Sequence, residues 1–190
     1  MKLYLAVNMK RFIAIVFTIC VCICSNAQIQ TKFWGLELSS FYNEPLEVLK
    51  DRISEKCQHA EIEKDAINAT EGKFGGYFWD LISFKFQESR QSNGFYQVHF
   101  VSCHETCVTA REKYETLRDI LSDKYGTPKQ LNEDDNKGDA IWLDTNGKYT
   151  CYLSFSCTDA TKVSKPWCVY IAYTDLDILK LKLNGERDEL

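Results

Sequence analysis

The densest chemistry in the chain is the run Cys103-His104-Glu105-Thr106-Cys107. Two thiols and an imidazole are zinc ligands by type, and two nearby thiols are a redox pair by type. The spacing argues against both. Metal and thiol-redox motifs commonly place two residues between their cysteines, whereas His104, Glu105 and Thr106 separate this pair, and no second pair with metal spacing follows. A cysteine-based redox or zinc-dependent enzyme built on Cys103 and Cys107 is therefore the alternative reading, and neither a catalytic residue nor a cofactor is assigned. His99 and His104 are candidate general bases with Glu105 to orient them, but no Gly-x-Ser-x-Gly nucleophile accompanies them. The alternation around His99 reads as an exposed strand position, and His59 has no evident partner. Gly75-Gly76 lacks the lysine and following helix of a phosphate loop. In Glu133-Asp134-Asp135 the spacing misses a calcium loop, because Gly138 falls where a ligand is required, so a solvated turn is expected.

What those cysteines do depends on compartment. Lys2, Lys10 and Arg11 precede an apolar run from Phe12 to Cys24 that ends in Ser25-Asn26-Ala27. Positive, then apolar, then small is the layout of a secretory signal peptide. The run is short for a span of about 20 residues. The expected organisation is a signal peptide over 1–27 and one domain over 28–190, with a charged, frayed tail from 185. Met9 is an alternative start. Removing the leader takes three positive charges and no negative ones, so the net charge falls from −4 to −7. An acidic domain has no electrostatic footprint for nucleic acid or anionic lipid, and no membrane span is expected after cleavage. Three of the nine cysteines leave with the leader. The remaining six, Cys57, Cys103, Cys107, Cys151, Cys157 and Cys168, are disulfide candidates in an exported small domain. Cys157 with Cys168, Cys103 with Cys107 and Cys57 with Cys151 are the pairings considered. Strand alternation opposes the first, since it puts Cys157 and Cys168 on different faces. The periplasm, envelope or extracellular space is the expected location. The sequon Asn68-Ala69-Thr70 and the terminal Arg187-Asp188-Glu189-Leu190 describe the alternative, a eukaryotic ER lumen.

The positioning elements follow from periodicity. Lys32 to Ser39 predicts a strand and Ser40 to Asn43 a turn. Pro45 opens a helix that lines up Leu46, Leu49, Ile53 and Cys57. Residues 58 to 73 are mixed, with a short strand around Ala60 to Ile62. Strands are expected over Tyr77 to Gln87 and Phe95 to Cys103, and a helix over Thr106 to Tyr125 ending at Gly126 and Pro128. Asn146-Gly147 predicts a type I′ hairpin between Ala140 to Thr145 and Lys148 to Cys157, which sets Trp142 opposite Cys151. Trp167 to Thr174 is a last strand, and the tail from Asp175 is ambiguous. The expected fold is α+β, a two-layer sandwich of a mostly antiparallel sheet with two main helices on one face.

Several blocks carry a resemblance: Lys32-Phe33-Trp34-Gly35-Leu36, Glu47-Val48-Leu49 through Glu55-Lys56-Cys57, Gly72-Lys73-Phe74-Gly75-Gly76, and Tyr114-Glu115-Thr116-Leu117 through Lys124-Tyr125-Gly126. The chain resembles small exported proteins of Bacteroidota, with a layout similar to the BLIP-like and SmpA/OmlA-like α+β folds. Ser39-Ser40-Phe41 departs from the polar-Gly turn usual after the first strand. The resemblance implies a fold and a location, and no catalytic motif.

Aromatic residues are 13% of the chain. A sheet covered by helices on one side leaves its other face free, and rings displayed there make a recognition surface. Trp79, Trp142, Tyr149, Tyr152, Trp167 and Tyr170 are the candidates, and a non-enzymatic protein that binds a protein or glycan is the functional reading.

Overall fold

The structure is a computed structural model, and it describes residues 28–88, 92–157 and 164–188. The leader expected over 1–27 lies outside the described residues.

Trp34 and Gly35 both have positive φ, 48° and 87°, the paired left-handed geometry of a two-residue hairpin turn. The strand expected over Lys32 to Ser39 is therefore folded back on itself. β1 (Lys32–Phe33) pairs with β2 (Leu36–Glu37). β3 (Phe41–Tyr42) then pairs with a later strand, and α1 (Leu46–Ser54) follows Pro45, burying Leu49 and Ile53. The mixed stretch after α1 holds two strands, β4 (His59–Glu63) and β5 (Ala66–Phe74), joined at Lys64, whose φ is 54°. β6 (Tyr77–Glu88) and β7 (Asn93–His104) complete a four-stranded meander.

α2 (Cys107–Tyr125) starts on Thr106, whose side chain accepts the Thr109 N–H, and buries Ala110, Tyr114, Leu117 and Leu121. It carries the chain across to the far edge of the sheet. A second meander returns through β8 (Gln130–Glu133), β9 (Gly138–Leu143), β10 (Tyr149–Cys157) and β11 (Trp167–Asp175), and β11 pairs antiparallel with β7. The sheet order is β4-β5-β6-β7-β11-β10-β9-β8, with β3 added on β7. Trp142 is the register partner of Cys151, as expected. The turn that sets this register is not type I′. Only Gly147 of the Asn146-Gly147 pair has positive φ, 67°, and the Asp144 carboxylate accepts the Tyr149 N–H at 2.8 Å to close the loop.

The sandwich is α+β with α1 and α2 on one face, as the sequence predicts. One core cluster joins Leu49 and Ile53 of α1, Leu117 and Leu121 of α2, Phe33 and Leu36 of the N-terminal hairpin, and the inward rows of the sheet. Beyond expectation, the tail forms α3 (Leu176–Asp188), so the helix carries past 185 where fraying was expected. Ala66, Tyr96, Ala172 and Ile178 are buried yet stand outside the main core. α3 crosses the opposite face at its Gln97 and Thr174 end, against β6, β7 and β11. Lys182 anchors α3 there, donating to Tyr96 Oη at 3.1 Å and to Asp65. Among the described residues no helix is long and apolar enough to cross a membrane.

Candidate functional site

In a strand, side chains alternate faces, so register decides which residues meet. On the face opposite α1 and α2, Leu81 lies across from Val101, Val101 from Tyr170, Tyr170 from Ser154, and Tyr152 from both Ile141 and Ala172. The Tyr152 and Tyr170 rings meet edge to face at 6.1 Å, and His99 packs edge-on against Tyr170 at 4.9 Å. Leu143, 38% exposed, extends the patch beside Ile141. A half-buried apolar row thus crosses β6, β7, β11, β10 and β9, bordered by Asp139, Ser154, Asn68 and Thr70. α3 covers only the end of this face near Gln97, Thr174 and Ala66.

Four of the six aromatic candidates are corrected by this geometry. Trp79 and Trp142 are buried in the main core at 3% and 1% exposure. Trp79 packs on Phe100, and the Trp142 indole N–H donates to the Gly126 carbonyl at 2.8 Å. Tyr149 and Trp167 pack against the same core from the helix-covered side. The reason for Trp142, Tyr149 and Trp167 is phase: they share the parity of the inward residues Ala140, Cys151 and Val169. Trp79 turns inward at an irregularity. Glu71 has a φ of 54°, and the inward positions on β5 and β6 step by three there, from Ala69 to Gly72 and from Ile82 to Trp79. Only Tyr152 and Tyr170 of the set reach the open face. Leu81, Val101, Ile141 and Leu143 were not anticipated. Their alternation was visible, but their meeting depends on strand pairing between segments up to about seventy residues apart in sequence.

His99 is not the exposed residue that alternation suggests. Its Nε2 is buried and has no hydrogen-bond partner. Burial, reinforced by the nearby Lys85 ammonium, pulls its pKa down to about 3, so the ring is neutral at physiological pH. Burial likewise pushes the Tyr170 phenol up. At the end of the sheet, Ser102 Oγ and His104 Nε2 lie 3.2 Å apart. Burial lowers the His104 pKa, and Asp80 opposes that shift. The Asp80 carboxylate accepts the Cys103 N–H at 2.8 Å and pairs with Lys165 at 3.7 Å. It is therefore committed elsewhere and does not orient His104.

The cysteines disperse. Cys107, the first residue of α2, directs its thiol at the Asp135 carbonyl. Cys103 instead faces Cys168 across β7 and β11, with sulfurs 3.1 Å apart. Cys57 donates to the Ile53 and His59 carbonyls, and Cys151 is buried. Cys157 has Trp167, not Cys168, as its register partner, so the alternation argument against that pairing holds. No two described cysteines are bridged in this structure. Among the described residues no group of three His, Cys, Asp or Glu side chains is placed to hold a metal ion. The acidic segment after β8 is a turn in which Asp134 Oδ1 accepts the Asn136 and Lys137 N–H groups. A cleft of about 590 Å³ near Cys57, Glu71, Lys73 and Asp80 mixes both charge signs. Asn68 of the sequon lies within β5 and donates to Glu63. The chain matches no family model, no curated protein and no solved structure.

Proposed function

We propose that the chain is an exported, non-enzymatic binding protein that docks a protein partner on the open face of its sheet. The observation that carries this reading is the row Leu81, Val101, Tyr170, Tyr152 and Ile141, which crosses five strands with polar residues at its border. An apolar centre with tyrosine anchors and a polar rim is the anatomy of a protein interface. The aliphatic members favour protein over glycan. Sugars stack on flat aromatic faces and gain little from leucine, valine and isoleucine flanks, whereas a partner protein buries all five.

The test compares three forms of the protein against extracts of the cells that make it. The wild type, the double variant Tyr152→Ala/Tyr170→Ala, and the control Val48→Asp on α1, where Val48 is 43% exposed, are each immobilised and their bound proteins identified. A partner held by the wild type and the control, but weakened at least about 10-fold in the double variant, supports the face as the site; truncating two anchors at about 1 to 2 kcal/mol each gives this scale. Retention of the same partners by the double variant removes the reading. Binding to immobilised glycans that needs the tyrosines but tolerates Ile141→Ser assigns the face to a glycan instead.

A further inference from the structure

We infer that Cys103 and Cys168 are a thiol-redox site that closes to a cross-strand disulfide by exchange with a small-molecule disulfide. The two residues are direct register partners on β7 and β11, and their side chains lie on the same face of the sheet. Backbone hydrogen bonding makes the site suitable. In a strand the N–H and C=O of one residue point to the same side, and the Cys103 N–H points away from β11, to the Asp80 carboxylate at 2.8 Å. Toward β11, Cys103 therefore occupies a non-hydrogen-bonded position. There the Cα atoms of an antiparallel pair approach to about 4.5 Å and the side chains come closest. That separation lies within the span of about 4.4 to 6.8 Å a disulfide bridges without backbone movement. The sulfurs are already 3.1 Å apart.

The other described cysteines lack this arrangement. Cys151 is buried inside the main core, Cys57 and Cys107 are turned to backbone carbonyls, and Cys157 is opposite a tryptophan. The site also stands apart from the proposed interface reading: it depends on β7 and β11 register alone, and it survives if the open face binds nothing.

The reaction balances with one oxidant disulfide, R–S–S–R. One cysteine loses its proton to solvent and its thiolate attacks a sulfur of the oxidant. The oxidant's S–S bond breaks and one R–S⁻ leaves, giving a mixed disulfide. The second cysteine, deprotonated in turn, attacks the protein sulfur of that mixed disulfide and expels the second R–S⁻. Two electrons pass from the protein to the oxidant, which becomes two thiols.

The experiment uses the reduced protein, incubated with glutathione disulfide, alkylated, and cleaved after lysine and arginine and also after Glu105. The last cut matters because Cys103 and Cys107 otherwise share the peptide that ends at Arg111. The expected result is a Cys103 peptide covalently joined to the peptide carrying Cys168, reverting to two peptides on reduction. In Cys103→Ser and in Cys168→Ser the surviving cysteine should instead accumulate as a stable glutathione adduct. The inference is overturned if both cysteines are recovered alkylated, if each carries glutathione without closing, or if either is joined to a different cysteine. Should a serine variant fail to fold, the wild-type peptide map decides alone.

Discussion

His99 is where a single residue couples fold to solution conditions. Its ordinary pKa of 6.5 applies in the unfolded chain and falls to about 3 in the folded one, mainly through burial. Between these values the unfolded chain binds the extra proton, so folding stability drops as pH falls from about 6.5 towards 3, by up to about 1.4 kcal/mol per pH unit. Above that window the ring is neutral in both states and the proton-linked penalty vanishes. The buried Nε2 also lacks a partner, a burden of about 1 to 3 kcal/mol. His99→Leu should therefore match or exceed the wild type in urea unfolding at pH 7 and lose stability less steeply between about pH 6.5 and 5. Parallel pH profiles for the two proteins would contradict the assignment. Sequence alternation placed His99 correctly on the face opposite Val98 and Phe100. It gave no sign of burial, because the covering ring, Tyr170, comes from a strand about seventy residues later.

Elements were legible where one periodic face meets one core. α2 shows this: the stripe Ala110, Tyr114, Leu117 and Leu121 is its buried face, and Thr106 caps it. α3 was not legible because, among its described side chains, it buries one apolar residue, Ile178, while Leu181 and Leu183 are 58% and 50% exposed. Its start is fixed by polar contacts instead. Asp175, fully buried, accepts the N–H groups of Asp177 and Ile178 at 2.8 and 3.1 Å, receives the Ser39 hydroxyl, and faces Lys148 at 3.8 Å. Asp175→Ala strips the first turn of α3 of its acceptor and unties the N-terminal segment from it. The loss should be about 2 kcal/mol, the upper end for a helix cap. The larger cost of a broken buried ion pair does not apply in full, because Lys148 is 37% exposed. Asp175→Asn keeps a capping oxygen and should lose less. Hydrogen exchange reads this directly, since amides of α3 should exchange faster in the alanine variant while those of α2 keep their ranking. Unchanged protection in α3 would show that packing on Tyr96, not the cap, holds the helix.

For the molecule as a whole, the sheet order joins two meanders at one seam, β7 with β11. The layer arrangement was readable from alternation, hairpin turns and two amphipathic helices, but the seam was not. Nothing local in either strand says that the end of the first meander pairs with the last strand of the second. Cys103 and Cys168 sit on that seam, and 65 residues separate them in sequence. A crosslink there closes a loop containing α2 and most of the second meander, so it acts on the unfolded chain far more than on neighbours already in register. Loop-closure entropy for that length corresponds to about 4 kcal/mol. For a protein of this size each kcal/mol moves the melting temperature by roughly 2 to 4 °C, so oxidation should raise it by on the order of 10 °C. The measurement is thermal unfolding of the oxidised and reduced protein beside Cys103→Ser/Cys168→Ser. The double variant should melt near the reduced wild type and show no redox dependence. If its melting temperature still shifts with oxidation, the stabilising crosslink lies elsewhere and the seam is held by its hydrogen bonds and core packing alone.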